Sequence, residues 1–379
     1  MADDKVTLTA SEQVEFLREE KGCTFDIVSE SDAERILTDE GRLYRVKAYA
    51  QDFILWRKPD PRAGKRIGMD FGCLLELDAL DRELRGLVLD LALDIEDSLR
   101  NRINRGAMER IVDPYWLARS YLDAVRETVL ADQLSRFDAD TARAATKNAA
   151  ALLAGIDFSD PSEATKAVNQ VLALLETLTA GRDPEYVAKS IARMSSSTYS
   201  GGIVKRYEDR PITYMALLEL VSFGPLVGFY KQCFKKGGLL DCTDEQEVCR
   251  ANKNMLRQAQ SMRNAAAHGD ATLHTLADYR SSGTLKGVRR KLGEFGIDGE
   301  WADNVASVPV AMELAAVLMC HYVFVESGEK RFAAAARLRE AAARFGRNVG
   351  WFEKCYAATS FIEFAARAFE VFAGRYEKA

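Results

Sequence analysis

The sequence predicts an all-α protein, and three observations predict it. From Phe71 to about Arg105 the residues Leu77, Leu80, Leu84, Leu87, Leu91, Ile95, Leu99 and Ile103 step by threes and fours, the spacing of one helical face. Polar clusters of the kind that cap helices stand before the other apolar-periodic stretches, with glycine or proline behind them. No stretch reads as a β-strand strong enough to set against these signals.

Composition bounds the rest. Of 379 residues, 47% are apolar and 29% charged, the balance of a soluble globular chain forming one large domain or two ordinary ones. A net charge of −5 argues against coating nucleic acid through bulk charge, while leaving room for local basic patches. The seven cysteines form no Cys-x-x-Cys, and no signal peptide is evident, so reduced thiols in a cytoplasmic protein are expected. The nearest approach to a membrane span, Val308 to Val325, is interrupted by Glu313 and His321; a buried helix is expected there, and no membrane association.

In chain order, Thr9 or Ser11 caps a first helix, Glu12 to Glu20, which Gly22 ends. Ser29 to Asp32 opens a second, through Ala33, Ile36 and Leu37. Leu43 to Tyr49 has aromatics at helical spacing and is expected to run on through Phe53 to Trp56, with its tyrosines on the core. Pro59, Pro61 and Gly64 mark a loop. Along the long helix, Asp78 with Arg82, Asp81 with Arg85 and Glu96 with Arg100 stand four apart, the spacing of a solvated or ion-paired face. Asp113-Pro114 restarts a helix, and from Ala124 to Ala180 the chain turns alanine-rich, broken at Asp157 to Pro161, as a helical hairpin added to a smaller core. Ser195 to Gly202 is the best candidate for a mobile loop. A helical run from Tyr214 to Tyr230 breaks near Gly224-Pro225 and stops at Lys235 to Gly238. Asp241 or Thr243 caps the next helix, and amphipathic helix resumes from Val308.

That helix, begun near Thr243, leads into Ser261-Met262-Arg263-Asn264-Ala265-Ala266-Ala267-His268-Gly269-Asp270, where the chemistry is expected. Arginine offers a planar fork of donors that fits a phosphate, and histidine takes and gives a proton near neutrality. Asn264 can orient the arginine or accept from a ribose, and the alanines permit close approach of a backbone or substrate. Such a set suits RNA cleavage by the neighbouring 2′-hydroxyl, with Arg263, Asn264 and His268 as catalytic residues. The alternative is that Arg263 is a surface charge and His268 merely ends a helix before Gly269. Lys253 and Arg257, one turn apart upstream, and Lys286, Arg289 and Arg290 downstream are the candidate RNA-binding cations. His268, Asp270 and His274 have the ingredients of a two-histidine, one-carboxylate metal site, but such triads generally sit on β-strands; no metal and no cofactor is expected.

Several blocks, in this order, resemble the Abi family of AbiD/AbiF-like abortive-infection proteins: Gln13 to Leu17, Tyr44 to Tyr49, Leu80 to Arg85 running on to Ile95 through Arg100, Leu218 to Gly224, and Met262 to His268. The resemblance implies an all-α HEPN-like bundle with an Arg-x(4–6)-His ribonuclease motif, onto which Arg263, Asn264 and His268 map. It implies a single Abi-like domain over 1–379, a HEPN-like core at 67–122 and 205–330, and a helical insertion at 123–200. It further implies a homodimer that brings two motifs together, RNA as substrate, and a non-coding RNA or antitoxin as inhibitor. The function expected is a metal-independent endoribonuclease leaving 2′,3′-cyclic phosphate and 5′-hydroxyl ends, in anti-phage abortive infection or as the toxin of a toxin–antitoxin pair. A non-catalytic RNA-binding regulator of the same fold is the alternative. One geometric demand accompanies the motif: residues five apart on a regular helix point about 140° away from each other, so the two side chains converge only if the helix bends or begins inside the motif, or the arginine curls round.

Overall fold

The computed structural model describes residues 8–41, 43–135, 200–207, 210–277, 283–299, 303–304 and 306–378. Among them all regular structure is helical, as the sequence predicts, with two isolated β-bridges and no strand. The chain divides into two compact units, Met1–Asn101 with Arg250–Ala379, and Arg102–Cys249. Most of the alanine-rich segment expected as an insertion, 136–199, lies outside the described residues.

The first unit opens with α1 (Ala10–Glu19) and α2 (Glu30–Glu40). Thr9 caps α1 with a full capping box, its hydroxyl accepting from the Glu12 N–H while the Glu12 carboxylate accepts from the Thr9 N–H. Ser29 caps α2, and Gly41 ends it at φ 59°, a conformation glycine adopts without steric cost. Helix α3 (Leu43–Tyr49) is shorter than expected. After a 3-10 turn at Ala50–Asp52 the backbone becomes extended at Phe53, and residues 54–56 pair with 65–67: the Ile67 N–H donates to the Ile54 carbonyl (2.8 Å) and the Trp56 N–H to that of Lys65 (2.9 Å). The turn chemistry of Pro59 to Gly64 thus reaches back and overrides the helical spacing. Of the two tyrosines, Tyr49 is fully buried but Tyr44 is 89% exposed.

Helix α4 (Phe71–Glu109) runs four residues past its expected end, and all eight residues of the predicted stripe are buried. Asp70 joins its start to the N-terminal segment, accepting from the Thr24 hydroxyl, the Asp26 N–H and the Gly72 N–H at 2.8 Å each.

Helix α5 (Pro114–Ser135) begins at Asp113, whose carboxylate accepts from the N–H groups of Tyr115 (2.9 Å) and Trp116 (2.7 Å). Gly201 and Gly202, expected in a mobile loop, start the short α6 (Gly201–Arg206); residues 195–199 of that loop lie outside the described residues. The run from Tyr214 forms α7 (Tyr214–Leu220) and α8 (Phe223–Phe234). The break falls at Val221-Ser222 rather than at Gly224-Pro225, because proline is tolerated in a first helical turn, where its missing N–H has no helical partner. In this second unit, Tyr121 stacks on Phe229 with centroids 4.1 Å apart, and its hydroxyl donates to the Pro225 carbonyl (2.8 Å). Buried Arg102 donates to Glu245 at 2.8 and 2.9 Å, and Tyr230 also donates to that carboxylate.

Helix α9 (Thr243–His268) returns the chain to the first unit, followed there by α10 (Gly283–Glu294), α11 (Pro309–Phe324), α12 (Gly328–Gly346) and α13 (Tyr356–Tyr376). Helices α12 and α13 pack against each other, and α11, the apolar run of the sequence, is buried on nearly every side. Among the described residues no helix is long and apolar enough to cross a membrane. Inside this packing His321 is fully buried, 2.6 Å from the Tyr376 hydroxyl through Nδ1 and 3.3 Å from Asp94 through Nε2.

Candidate functional site

Helix α9 is regular through the motif and stops at its last residue. Gly269 takes φ 73°; its N–H donates to the Ala266 carbonyl (3.2 Å) and the Asp270 N–H to that of Ala265 (3.0 Å), the paired bonds of a Schellman C-cap. A side chain at Gly269 would be strained whatever the surrounding space. Met262 and Ala266 are buried, Arg263 and Asn264 half-buried, and His268 exposed at the helix terminus. Among the described residues His268 has no hydrogen-bond partner. Its imidazole is open to a ligand at the end of the helix.

Arg263 points to α4. Its Nη2 donates to Glu96 Oε1 at 3.1 Å, and Arg100 stands 3.6 Å from the other oxygen of the same carboxylate. Glu96 is 4% exposed, so two guanidiniums share one buried anion. The helix is unbroken from Thr243 to His268, so it neither begins nor breaks inside the motif, and Arg263 is engaged with Glu96. Asn264 is half-buried beside it. From α11, Glu313 meets the side chain of Ser261, two residues before the arginine, and burial raises its pKa above the ordinary carboxylate value.

The backbone after His268 is fixed by a second buried carboxylate on α4. Asp81, fully buried, accepts through Oδ1 from the Thr272 N–H (2.8 Å), the Thr272 hydroxyl and the Leu273 N–H (3.1 Å). Through Oδ2 it accepts from the Tyr49 hydroxyl and from Arg85 Nε, both at 3.1 Å. Burial, then the nearby Asp81 and Asp78, push the Tyr49 phenol upward, so it keeps its proton and donates. Arg45 lies 3.5 Å from Asp78 and donates to the Gly269 carbonyl. The blocks at 44–49 and 80–85 therefore meet the chain where α9 ends, and the block at 95–100 meets Arg263 inside the helix.

The acid–base pairs of α4 form as spaced, Asp78–Arg82 at 3.6 Å, Asp81–Arg85 at 3.1 Å and Glu96–Arg100 at 3.6 Å. They are not a solvated face: Asp78, Asp81 and Glu96 are buried, because each also serves a partner from α3, α9 or the segment after α9. Sequence reasoning missed Arg45, Asp81, Glu96 and Thr272.

The expected RNA-binding cations are not gathered at the motif. Lys253 and Arg257 are exposed on α9, about 22 and 16 Å along the axis from His268 at 1.5 Å per residue. On α10, Arg289 is half-buried and donates to the Asp303 carbonyl (2.7 Å), while Arg290 is exposed; the Lys286 side chain lies outside the described residues. Lys291 ties this helix to Asn252 (2.7 Å), beside Lys253 and away from the helix end. As for the metal-ligand set weighed in the sequence, Nδ1 of His274 faces the Ala271 carbonyl, and no group of three or more His, Cys, Asp or Glu side chains among the described residues is placed to hold a metal ion.

Comparison with known proteins adds one finding. No curated protein and no solved structure gives a match. A family model described as Abi-like protein matches residues 37–273. That span starts within α2, takes in the buried acids of α4 and the whole of α9, and ends at Leu273, the last residue whose N–H Asp81 receives; the block at Gln13 to Leu17 lies outside it. The match covers more than half the sequence and every residue that converges on the helix end except Glu313, and on that ground the chain belongs to the Abi-like protein family.

Proposed function

We propose that this protein is a metal-independent endoribonuclease of the HEPN type and of the AbiD/AbiF-like kind, acting in abortive infection or as the toxin of a toxin–antitoxin pair. The observation that supports it best is the end of α9: an unpartnered, exposed His268 on a braced C-cap, with an arginine five residues earlier on the same helix. In the reaction, one His268 takes the proton of a 2′-hydroxyl and the 2′-oxygen attacks the adjacent phosphorus. The P–O5′ bond breaks, and the His268 of a second copy gives its proton to the leaving 5′-oxygen. Arg263 stabilises the charge added to the phosphoryl oxygens, and Asn264 orients the arginine or the ribose. The products are a 2′,3′-cyclic phosphate and a 5′-hydroxyl. The regular helix supports the homodimer in this scheme, since side chains about 140° apart on one helix are poorly placed to act on one phosphate alone.

A second reading has its own support. Arg263 is already paired with Glu96 at 3.1 Å, as a structural arginine would be, which suits an RNA-binding regulator that does not cut. Expression in bacteria with sequencing of RNA ends separates the two. New 5′-hydroxyl ends and slowed growth are expected with the wild type and neither with Arg263→Ala or His268→Ala, each folded by circular dichroism. Equal toxicity of His268→Ala and wild type would overturn the nuclease.

A further inference from the structure

A pocket of about 680 Å³ opens in the first unit, between the paired segments 51–58 and 63–66 and the backbone at Ala277, nine residues past His268. Three kinds of chemistry line it. Ile54 (56% exposed) and Leu55 (41% exposed) present apolar surface that no part of the described chain covers, and Trp56 stands beside them with the Arg62 guanidinium 3.5 Å from its ring. Arg57 and Lys58 are exposed and have no carboxylate partner among the described residues; Arg66 spends one guanidinium nitrogen on the carbonyls of Gln51 (3.2 Å) and Phe53. Asp52, 5% exposed, accepts from the Ala277 N–H (3.0 Å) through Oδ1, while its Oδ2 is buried with no hydrogen-bond partner.

We infer that this pocket holds one nucleotide of single-stranded RNA, its base against Ile54, Leu55 and Trp56 and its phosphate on Arg57, Lys58 and Arg66. A purely apolar partner would leave Arg57 and Lys58 unanswered, and a free anion would leave the apolar wall exposed; a nucleotide answers both. The site is prebuilt, because the backbone bonds between 54–56 and 64–67 hold Trp56 and Arg66 in place without ligand. Asp52 also joins the pocket to the segment that follows His268, so a strand seated there is led toward the end of α9. The choice of RNA as ligand rests on the reading of the chain as an RNA-directed protein.

The test uses full-length His268→Ala protein, which cannot cut, and a fluorescein-labelled, unstructured ten-nucleotide RNA followed by anisotropy. Adding Trp56→Ala is expected to weaken binding about five- to hundredfold, the range for loss of one stacked base. Adding Arg57→Gln with Lys58→Gln, both exposed and tolerant of change, is expected to flatten the dependence of log Kd on log salt by roughly 1.4, two phosphate contacts at 0.7 each for a single strand. Unchanged affinity and salt slope in both variants would overturn the pocket while leaving the nuclease intact if the wild type still cuts. Pocket-dependent binding by a protein that never cuts would support the pocket and remove the nuclease. No RNA binding by any form would remove both.

Discussion

Asp81 is the point at which the segment after the motif is most exposed to a single substitution. Its carboxylate receives two backbone N–H groups, two hydroxyls and Arg85 while itself fully buried. Asp81→Ala removes the carboxylate from all five donors, of which Tyr49 keeps Asp78 Oδ1 and Arg85 the residue-81 carbonyl, each at 3.3 Å. One unsatisfied buried donor costs about 1–3 kcal/mol, and removing one partner of a buried charged set about 3–5 kcal/mol. Some donors will find water, so about 3 kcal/mol of local stability is a fair expectation, or a hundredfold in the opening equilibrium. Asp81→Asn keeps the size and one acceptor oxygen but turns an amide toward the Tyr49 hydroxyl and Arg85; about tenfold is expected. Native-state hydrogen exchange reads this directly, because the Thr272 and Leu273 amides are themselves the donors. Both should lose protection in that order, while amides in the middle of α11 change far less. If Thr272 and Leu273 exchange in Asp81→Ala as in the wild type, Asp81 does not hold the segment and its buried position needs another account.

The two-histidine scheme predicts a homodimer, and light scattering that finds an active monomer across the working concentrations would remove it. Chelation of divalent metal is expected to leave the cleavage rate of a short unstructured RNA within a few-fold, whereas a metal mechanism would lose about a thousandfold or more; loss restored by one metal would end the Arg–His assignment. Burial holds His321 below its ordinary value of 6.5 against the opposing pull of Asp94, with Arg337 and Arg331 adding to the depression. The folded state therefore binds fewer protons than the unfolded one below pH 6.5, and stability should fall as pH drops through that range. His321→Gln should show a shallower fall in urea midpoint between pH 7 and 5; an identical slope would assign the effect elsewhere.

The helices were legible because their signals are local. A leucine every three or four residues, Thr9 and Ser29 ahead of helices, and Gly269 behind His268 each act within one turn, and the helices they mark stand there. The misses came from contacts at longer range. Residues 53–56 have helical spacing, yet 54–56 pair with 65–67 through a turn whose strength is set by residues 59–64. Gly224-Pro225 looks like a break but falls in a first turn, where proline fits as well as any residue.

The site was half legible for a related reason. Arg263, Asn264 and His268 announce themselves by residue type, but what braces them is hidden in acids that look ordinary. Asp81 lies four past Leu77 and three before Leu84; Glu96 lies four past Ala92 and three before Leu99. Both therefore ride the buried stripe of α4 and not its wet side, a fact available from the same periodicity that located the helix. Read only as i,i+4 partners of Arg85 and Arg100, they suggest a surface ladder worth a few tenths of a kcal/mol each. Read by their position on the stripe, they are buried anions that must be matched by cations and N–H groups from elsewhere in the chain. Two such acids on one helix, 15 residues or about 22 Å apart along its axis, can each hold a different part of α9 and its exit: Glu96 the arginine inside the helix, Asp81 the backbone after its end. That division holds the arginine and the exit from the helix separately, so a change at Glu96 should shift Arg263 while leaving the Thr272 and Leu273 amides protected from hydrogen exchange.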